Sequence, residues 1–258
     1  MMNVKSLVWF IGLLVFSSAY ATAQEMTGEM LAQQIFDRDR GKNSVSSAQM
    51  VLISKNGHKR TRQFTTIRLL EGNLERQIIR FTTPADIDGT GFLTIEKPGW
   101  ETEQFLYLPG LKRTRRIVSS QKSSRFVNSD FTYEDMERHP VDDYTYQITG
   151  SEQVNHLDCY VLESRPKKGT ESQYSLIVSR VEKQSRVAVS AEYFDQKGRH
   201  IKTYKVLKLD RVQEFWTELT VSMEDHKKGH KTYLNIDNIR YNGDIDKNMI
   251  NRKSLENY

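Results

Sequence analysis

Cysteine is nearly missing. Cys159, in the stretch NHLDCYVLES, is the one cysteine among 258 residues, so no intramolecular disulfide can form. A chain of this length can bury a sizeable core without such staples, and a lone cysteine in an apolar strand reads as a small buried hydrophobe. Also missing are a nucleophile elbow, an HExxH helix, a CxxC pair, a P-loop and a dinucleotide-binding glycine pattern. His226 and His230 in HKKGH stand four apart, but the intervening Lys-Lys-Gly reads as a hairpin turn, and that spacing gathers metal ligands only on a helix face. Asp86 and Asp88 in TPADIDGTGF read as turn-stabilising residues, short of the oxygen ligands that calcium needs. Asp142 and Asp143 follow the turn at His139-Pro140 and read as exposed. No catalytic residue, metal or cofactor is therefore expected.

Long apolar runs are scarce as well. Leu7 to Phe16 is well short of the roughly 20 residues that a membrane-spanning helix needs. It lies between Lys5 and the small residues Ala21-Thr22-Ala23, the order of a cleaved secretory signal over residues 1–23; an uncleaved anchor is the alternative. No cysteine stands directly after the cleavage point, so the mature chain (24–258, read as one domain) is not expected to be lipid-modified itself. Removing 1–23 takes away Lys5 and no acid, which lowers the net charge from +5 to +4. Mild basicity in an exported protein suits an anionic membrane surface or an acidic partner, with no nucleic acid expected.

What is present is β pattern. Helical spacing is clear only in EMTGEMLAQQIFDRDRG, with Gly41 as a stop. Short alternating runs then follow, separated by turns such as Lys55-Asn56-Gly57, Glu71-Gly72-Asn73 and Gln196-Lys197-Gly198. Such turns between β-branched and aromatic residues signal hairpins. About ten or eleven strands are predicted, joined as an antiparallel meander. A sheet this wide must curl, giving either a closed barrel or sandwich with a solid core or a mainly β, open half-barrel whose concave face is covered by helices. One N-terminal helix and one central insertion, residues 119–143, are the inventory for the half-barrel. The insertion is expected to be helical from Ser129 to Glu137, with Ser129 as cap, and 119–137 is the candidate gate.

The stretches DRDRGKNSVSSAQMVLISKNGHKRTRQF, FTTPADIDGTGFLTIEKPGWETEQFLYLPGLKRTRRI and SDFTYEDM resemble the outer membrane lipoprotein-sorting family, the LolA-like group associated with lipid exporters of the resistance-nodulation-division (RND) type. The resemblance runs from about Gln33 to the end. It implies a periplasmic carrier in a Gram-negative envelope, with a helical lid over an apolar cavity for lipid or lipoprotein acyl chains. It also implies an inner-membrane RND-type exporter as partner and transient contact with the membrane surface. Candidate lipid-binding residues are Met50, Leu52, Ile79, Phe92, Leu93, Ile95, Trp100, Phe105, Tyr107, Phe131 and Met136. In the hairpin GFLTIEK/EQFLYLPG both faces are apolar, so one packs on core and the other on lid or lipid. The tetrad Lys112, Arg113, Arg115 and Arg116 follows Pro109-Gly110; it is read either as a solvated face or as a dock for lipid headgroups or a partner, where the forked guanidinium suits phosphate. Alternation sets Arg113 and Arg115 on one face and Arg116 on the other. A periplasmic sensor or adaptor that uses the same fold to bind an exporter or envelope-stress regulator, without carrying lipid, is the alternative function.

Overall fold

The computed structural model describes residues 25–99 and 101–256. The expected signal segment and Trp100 lie outside them. Helix α1 (Gly28–Phe36) starts where the Thr27 hydroxyl accepts a hydrogen bond from the Met30 amide at 3.1 Å, satisfying one of the amides a helix start leaves unpaired. Thirteen strands follow: β1 (Asn43–Ile53), β2 (Lys59–Glu71), β3 (Leu74–Thr83), β4 (Gly91–Glu96), β5 (Thr102–Leu108), β6 (Arg113–Ile117), β7 (Tyr144–Val154), β8 (Leu157–Pro166), β9 (Tyr174–Glu182), β10 (Ala188–Asp195), β11 (His200–Val212), β12 (Phe215–Asp225) and β13 (His230–Tyr241). A short helix α2 (Arg252–Glu256) ends the described chain.

All strands belong to one antiparallel sheet, in the order β6-β5-β4-β3-β2-β1-β13-β12-β11-β10-β9-β8-β7. The first six strands wind outward to one edge. Residues 118–143 then carry the chain to the opposite edge, where β7 begins, and the return meander ends with β13 paired to β1. The count exceeds the sequence expectation because the β7/β8 hairpin leaves little trace. Its turn, Asn155-His156, has both residues at positive φ (49° and 68°) without a glycine, and the outer half of β7 is mostly exposed and polar.

Two apolar layers coat the sheet. On the concave face Met50, Phe64, Ile79, Phe81, Phe92 and Leu106 pack with Phe126, Phe131 and Tyr133 of the crossing segment. Ring centroids lie 4.9 Å apart for Phe92 and Phe126, and 5.6 Å for Phe92 and Tyr133. On the convex face Leu69, Ile78, Leu93 and Phe105 are sealed by Ile250 and Leu255, both fully buried. Arg80 anchors that seal by donating to the carbonyls of Leu255 (2.9 Å) and Ser254 (3.0 Å). Helix α1 lies over the far end of the concave face, with Leu31 against Leu162 and Val181. It approaches β7 so closely that a Cβ on Gly28 would stand 2.6 Å from the Tyr146 carbonyl.

The expected helix over Ser129–Glu137 does not form. The crossing segment holds only single 3-10 turns, at Ser119–Gln121, Phe126–Asn128, Glu134–Met136 and Val141–Asp143, and the Ser129 hydroxyl donates back to the Phe126 carbonyl at 2.7 Å. Tertiary partners override local preference here. Asp130 is drawn to Thr232 and Arg125, Glu134 to Ser172 and Gln173, and Asp135 to Lys202, so successive carboxylates point in directions no single helix provides. Among the described residues no helix is long and apolar enough to cross a membrane.

Candidate functional site: a two-chambered cavity on the concave face

The concave face is not filled by its own side chains. A cavity of about 440 Å³ has Ala48 and Met50 of β1, Phe64 of β2, Ile79 of β3, Val221 and Met223 of β12, and Leu234 and Ile236 of β13 as its floor; Phe126, Phe131 and Met136 of the crossing segment also line it. A second cavity, of about 340 Å³, lies under α1 between Ile35, Phe36, Tyr144, Tyr146, Leu162 and Ile177. Each falls within the range of roughly 300–1,000 Å³ typical of ligand pockets. Arg38, Arg40, Tyr193 and Glu218 line both, so the chambers meet at a polar junction.

Sequence places the charges at that junction. After α1 the chain runs Asp37-Arg38-Asp39-Arg40-Gly41, with both aspartates exposed and both arginines half-buried. The Arg38 guanidinium donates to the Trp216 carbonyl at 2.8 Å and lies 3.8 Å from the Glu218 carboxylate. Burial pulls its pKa down and Glu218 pulls it back up. Glu218 accepts from the Tyr204 hydroxyl at 3.1 Å; burial, with that carboxylate beside it, holds the Tyr204 phenol well above its usual range. Arg40 pairs with Glu75 at 2.6 Å, and Arg68 reaches the same carboxylate at 3.3 Å while donating to the carbonyls of Arg40 and Gly41. Farther along the rim, Arg138 pairs with Glu96 at 3.1 Å and stacks over the Phe36 ring at 4.1 Å.

The crossing segment is bolted across this face. Lys202 donates to Asp135 at 2.9 Å and to the Tyr174 hydroxyl at 2.9 Å, and that hydroxyl donates to Asp135 at 2.6 Å. Asp130 accepts from Thr232 and from Arg125, each at 2.7 Å. Arg62 donates to the Val127 carbonyl, and Gln104 to that of Tyr133 at 2.8 Å.

The sequence candidates divide cleanly. Met50, Ile79, Phe131 and Met136 line the first chamber. Leu52 and Phe92 belong to the same concave core without lining it. Leu93, Ile95, Phe105 and Tyr107 face the other way, into the convex cluster under Ile250 and Leu255, because the alternation that points Phe92 inward points its neighbours outward. Lys112, Arg113, Arg115 and Arg116 are all exposed at the sheet edge, and none lines either chamber. Arg113 and Arg115 sit across from Leu108 and Leu106, whereas Arg116 sits across from Phe105 and pairs with Glu101 (3.2 Å) and Glu103 (3.3 Å). The cavity residues that sequence reasoning missed include Tyr193, Tyr204, Trp216 and Glu218 in the second half, Ala48, Phe64 and Phe126 in the first, and Arg38 and Arg40. The arginines had a readable signal, the alternating charges of DRDRG. Among the described residues no cluster of three or more His, Cys, Asp or Glu is placed to hold a metal ion.

A family model described as an uncharacterized protein matches residues 73–257. The chain is similar to a DUF1329 family protein from Desulfovibrio piger, with 32% identity and a TM-score of 0.84 over 88% of this chain and 97% of that one. A putative outer membrane lipoprotein-sorting protein domain from Vibrio parahaemolyticus is 30% identical, with a TM-score of 0.83 over 89% and 98%. A LolA superfamily protein from Nitrosomonas europaea shares the fold at a TM-score of 0.69 and 17% identity, over 89% of this chain and 100% of that one. No curated protein matches.

Proposed function

The chain belongs to the DUF1329 family and is LolA-like, and from that premise we propose that it is a periplasmic carrier that moves lipid or lipoprotein acyl chains from the inner to the outer membrane of a Gram-negative cell, loaded by an RND-type exporter. The observation that carries this reading is the pair of apolar chambers held open on the concave face. Burying acyl chain contributes about 0.8 kcal/mol per methylene, so about ten methylenes in the larger chamber supply about 8 kcal/mol before losses from ordering. That strength permits both uptake and release. The crossing segment is the gate: it roofs the chamber, and its fastening to β11 and β13 must loosen for a tail to pass.

Native mass spectrometry of protein purified from its own envelope tests the reading. Acylated species that stay bound through purification and leave with detergent are the expected result. A clean apo mass together with a stoichiometric protein partner overturns it and favours a sensor or adaptor. One observation does favour docking: β6 is an edge strand whose Arg113 and Arg115, with Lys112 just before them, are exposed beside Leu111, itself 70% exposed. On the carrier reading this edge touches anionic membrane during handover. Replacing Arg113 and Arg115 with alanine should then weaken liposome binding at low salt and change little at high salt.

A further inference from the structure

With the solvent-exposed Asp37 and Asp39 set aside, the charges at the junction of the two chambers do not balance. Arg38, Arg40 and Arg68 bring three positive charges, and Glu75 and Glu218 bring two negative ones. Glu75 is engaged by both Arg40 and Arg68, and Glu218 stands 3.8 Å from Arg38, beyond hydrogen-bond distance. A guanidinium has five N–H donors in a planar fork, and the one hydrogen bond shown for Arg38 uses a single donor, toward the Trp216 carbonyl. Its side chain is only 16% exposed, and its unused donors open toward the junction instead of being sealed within protein. A buried cation with spare donors and a net positive neighbourhood is a site for an anion.

We propose that Arg38, with Arg40 beside it, binds the phosphate of a two-tailed, singly anionic amphiphile whose tails occupy the two chambers. This rests on the carrier reading and names its ligand class. The geometry suits a branched molecule, because the two chambers share a polar lining: one runs under the crossing segment and the other under α1. A single charge on the ligand cancels the excess at the junction. The bidentate match of guanidinium to phosphate oxygens supplies orientation, and the tails supply most of the affinity. Arg68 serves as a positioning residue, because its bonds to the carbonyls of Arg40 and Gly41 fix the loop that carries the arginines.

The test uses the delipidated mature protein, titrated by native mass spectrometry with four probes: phosphatidylglycerol, the neutral diacylglycerol of the same tails, palmitate and inorganic phosphate. Wild type should bind one phosphatidylglycerol and prefer it over diacylglycerol by about tenfold or more, the share of one charge-assisted contact. The Arg38→Gln/Arg40→Gln variant should bind both lipids equally, at the diacylglycerol level, with an unchanged circular-dichroism spectrum. If that variant misfolds, Arg38→Gln alone must still erase most of the preference. Equal binding of the two lipids by wild type, or a preference that survives Arg38→Gln, overturns the headgroup assignment and leaves the carrier intact. Two palmitates displacing one phosphatidylglycerol, or displacement by inorganic phosphate, overturns the two-tailed ligand. Failure of every lipid to bind removes the carrier reading and this proposal together.

Discussion

Lys202→Met keeps the length of the side chain and deletes the charge that fastens the crossing segment to β11. In the wild type the Lys202 and Asp135 side chains are 7% and 4% exposed and 2.9 Å apart. Stripping one partner from a buried ion pair costs about 3–5 kcal/mol, because the other charge is left in a poor solvent. Asp135 retains hydrogen bonds from the Tyr174 hydroxyl (2.6 Å) and the Thr132 amide (2.7 Å), which places the expected cost near the lower end, about 3 kcal/mol. Much of that cost should be local, since the segment can lift while the strand ladders stay paired. Hydrogen exchange should therefore quicken on the order of a hundredfold within residues 119–137, with β1 and β13 unchanged. Urea unfolding completes a double-mutant cycle: Asp135→Leu combined with Lys202→Met should recover most of the loss, since the pair rather than either charge is what the fold tolerates. A cost below about 1 kcal/mol for Lys202→Met, or a double mutant as unstable as the sum of the singles, would refute the latch.

The cavity floor gives a second check: Ala48, 5% exposed and lining the first chamber, should accept leucine with little change in melting temperature while lipid capacity falls, and unaltered loading would place the cargo elsewhere. Leu255→Ala removes a fully buried side chain from the convex seal and should cost about 2–5 kcal/mol by denaturant titration with lipid selectivity unaltered. Gly28→Ala drives a Cβ to 2.6 Å from the Tyr146 backbone, so α1 should lose exchange protection at a cost of about 1–3 kcal/mol. Burial raises the Glu137 carboxyl above its ordinary 4.5, with Lys122 pulling it back. The folded protein thus holds that proton more tightly than the unfolded chain, and its stabilising effect fades as pH rises through the window above 4.5. Glu137→Gln should flatten that slope in melting curves taken from pH 4 to 7.

Local chemistry was legible where the sequence states it outright. Asn56-Gly57, with Gly57 at a φ of 78°, joins β1 to β2 as its residue types demand. Asn155-His156 makes an equally tight turn from residues that rarely announce one, and β7 hides behind it. The hairpin of β4 and β5 was readable as apolar on both faces, yet which face is concave is set by register across all thirteen strands. Phe92 and Leu93 are chemically alike; only α2 on one side and the crossing segment on the other tell them apart. The crossing segment itself defied local reading because Asp130, Glu134 and Asp135 answer to residues about 40 to 100 positions away. The junction arginines were visible as a charge pattern, and only the fold shows that it faces greasy space.

The pairing of β1 with β13 brings Ser44 opposite Tyr241, nearly two hundred positions later in the chain. During synthesis β1 precedes the other twelve strands and finds its second neighbour only when the last of them follows. Until then an eleven-residue row of amides and carbonyls has no mate and invites the wrong strand. Assembly of this protein must therefore finish at its middle, and its nascent form is the state most in need of a holdase.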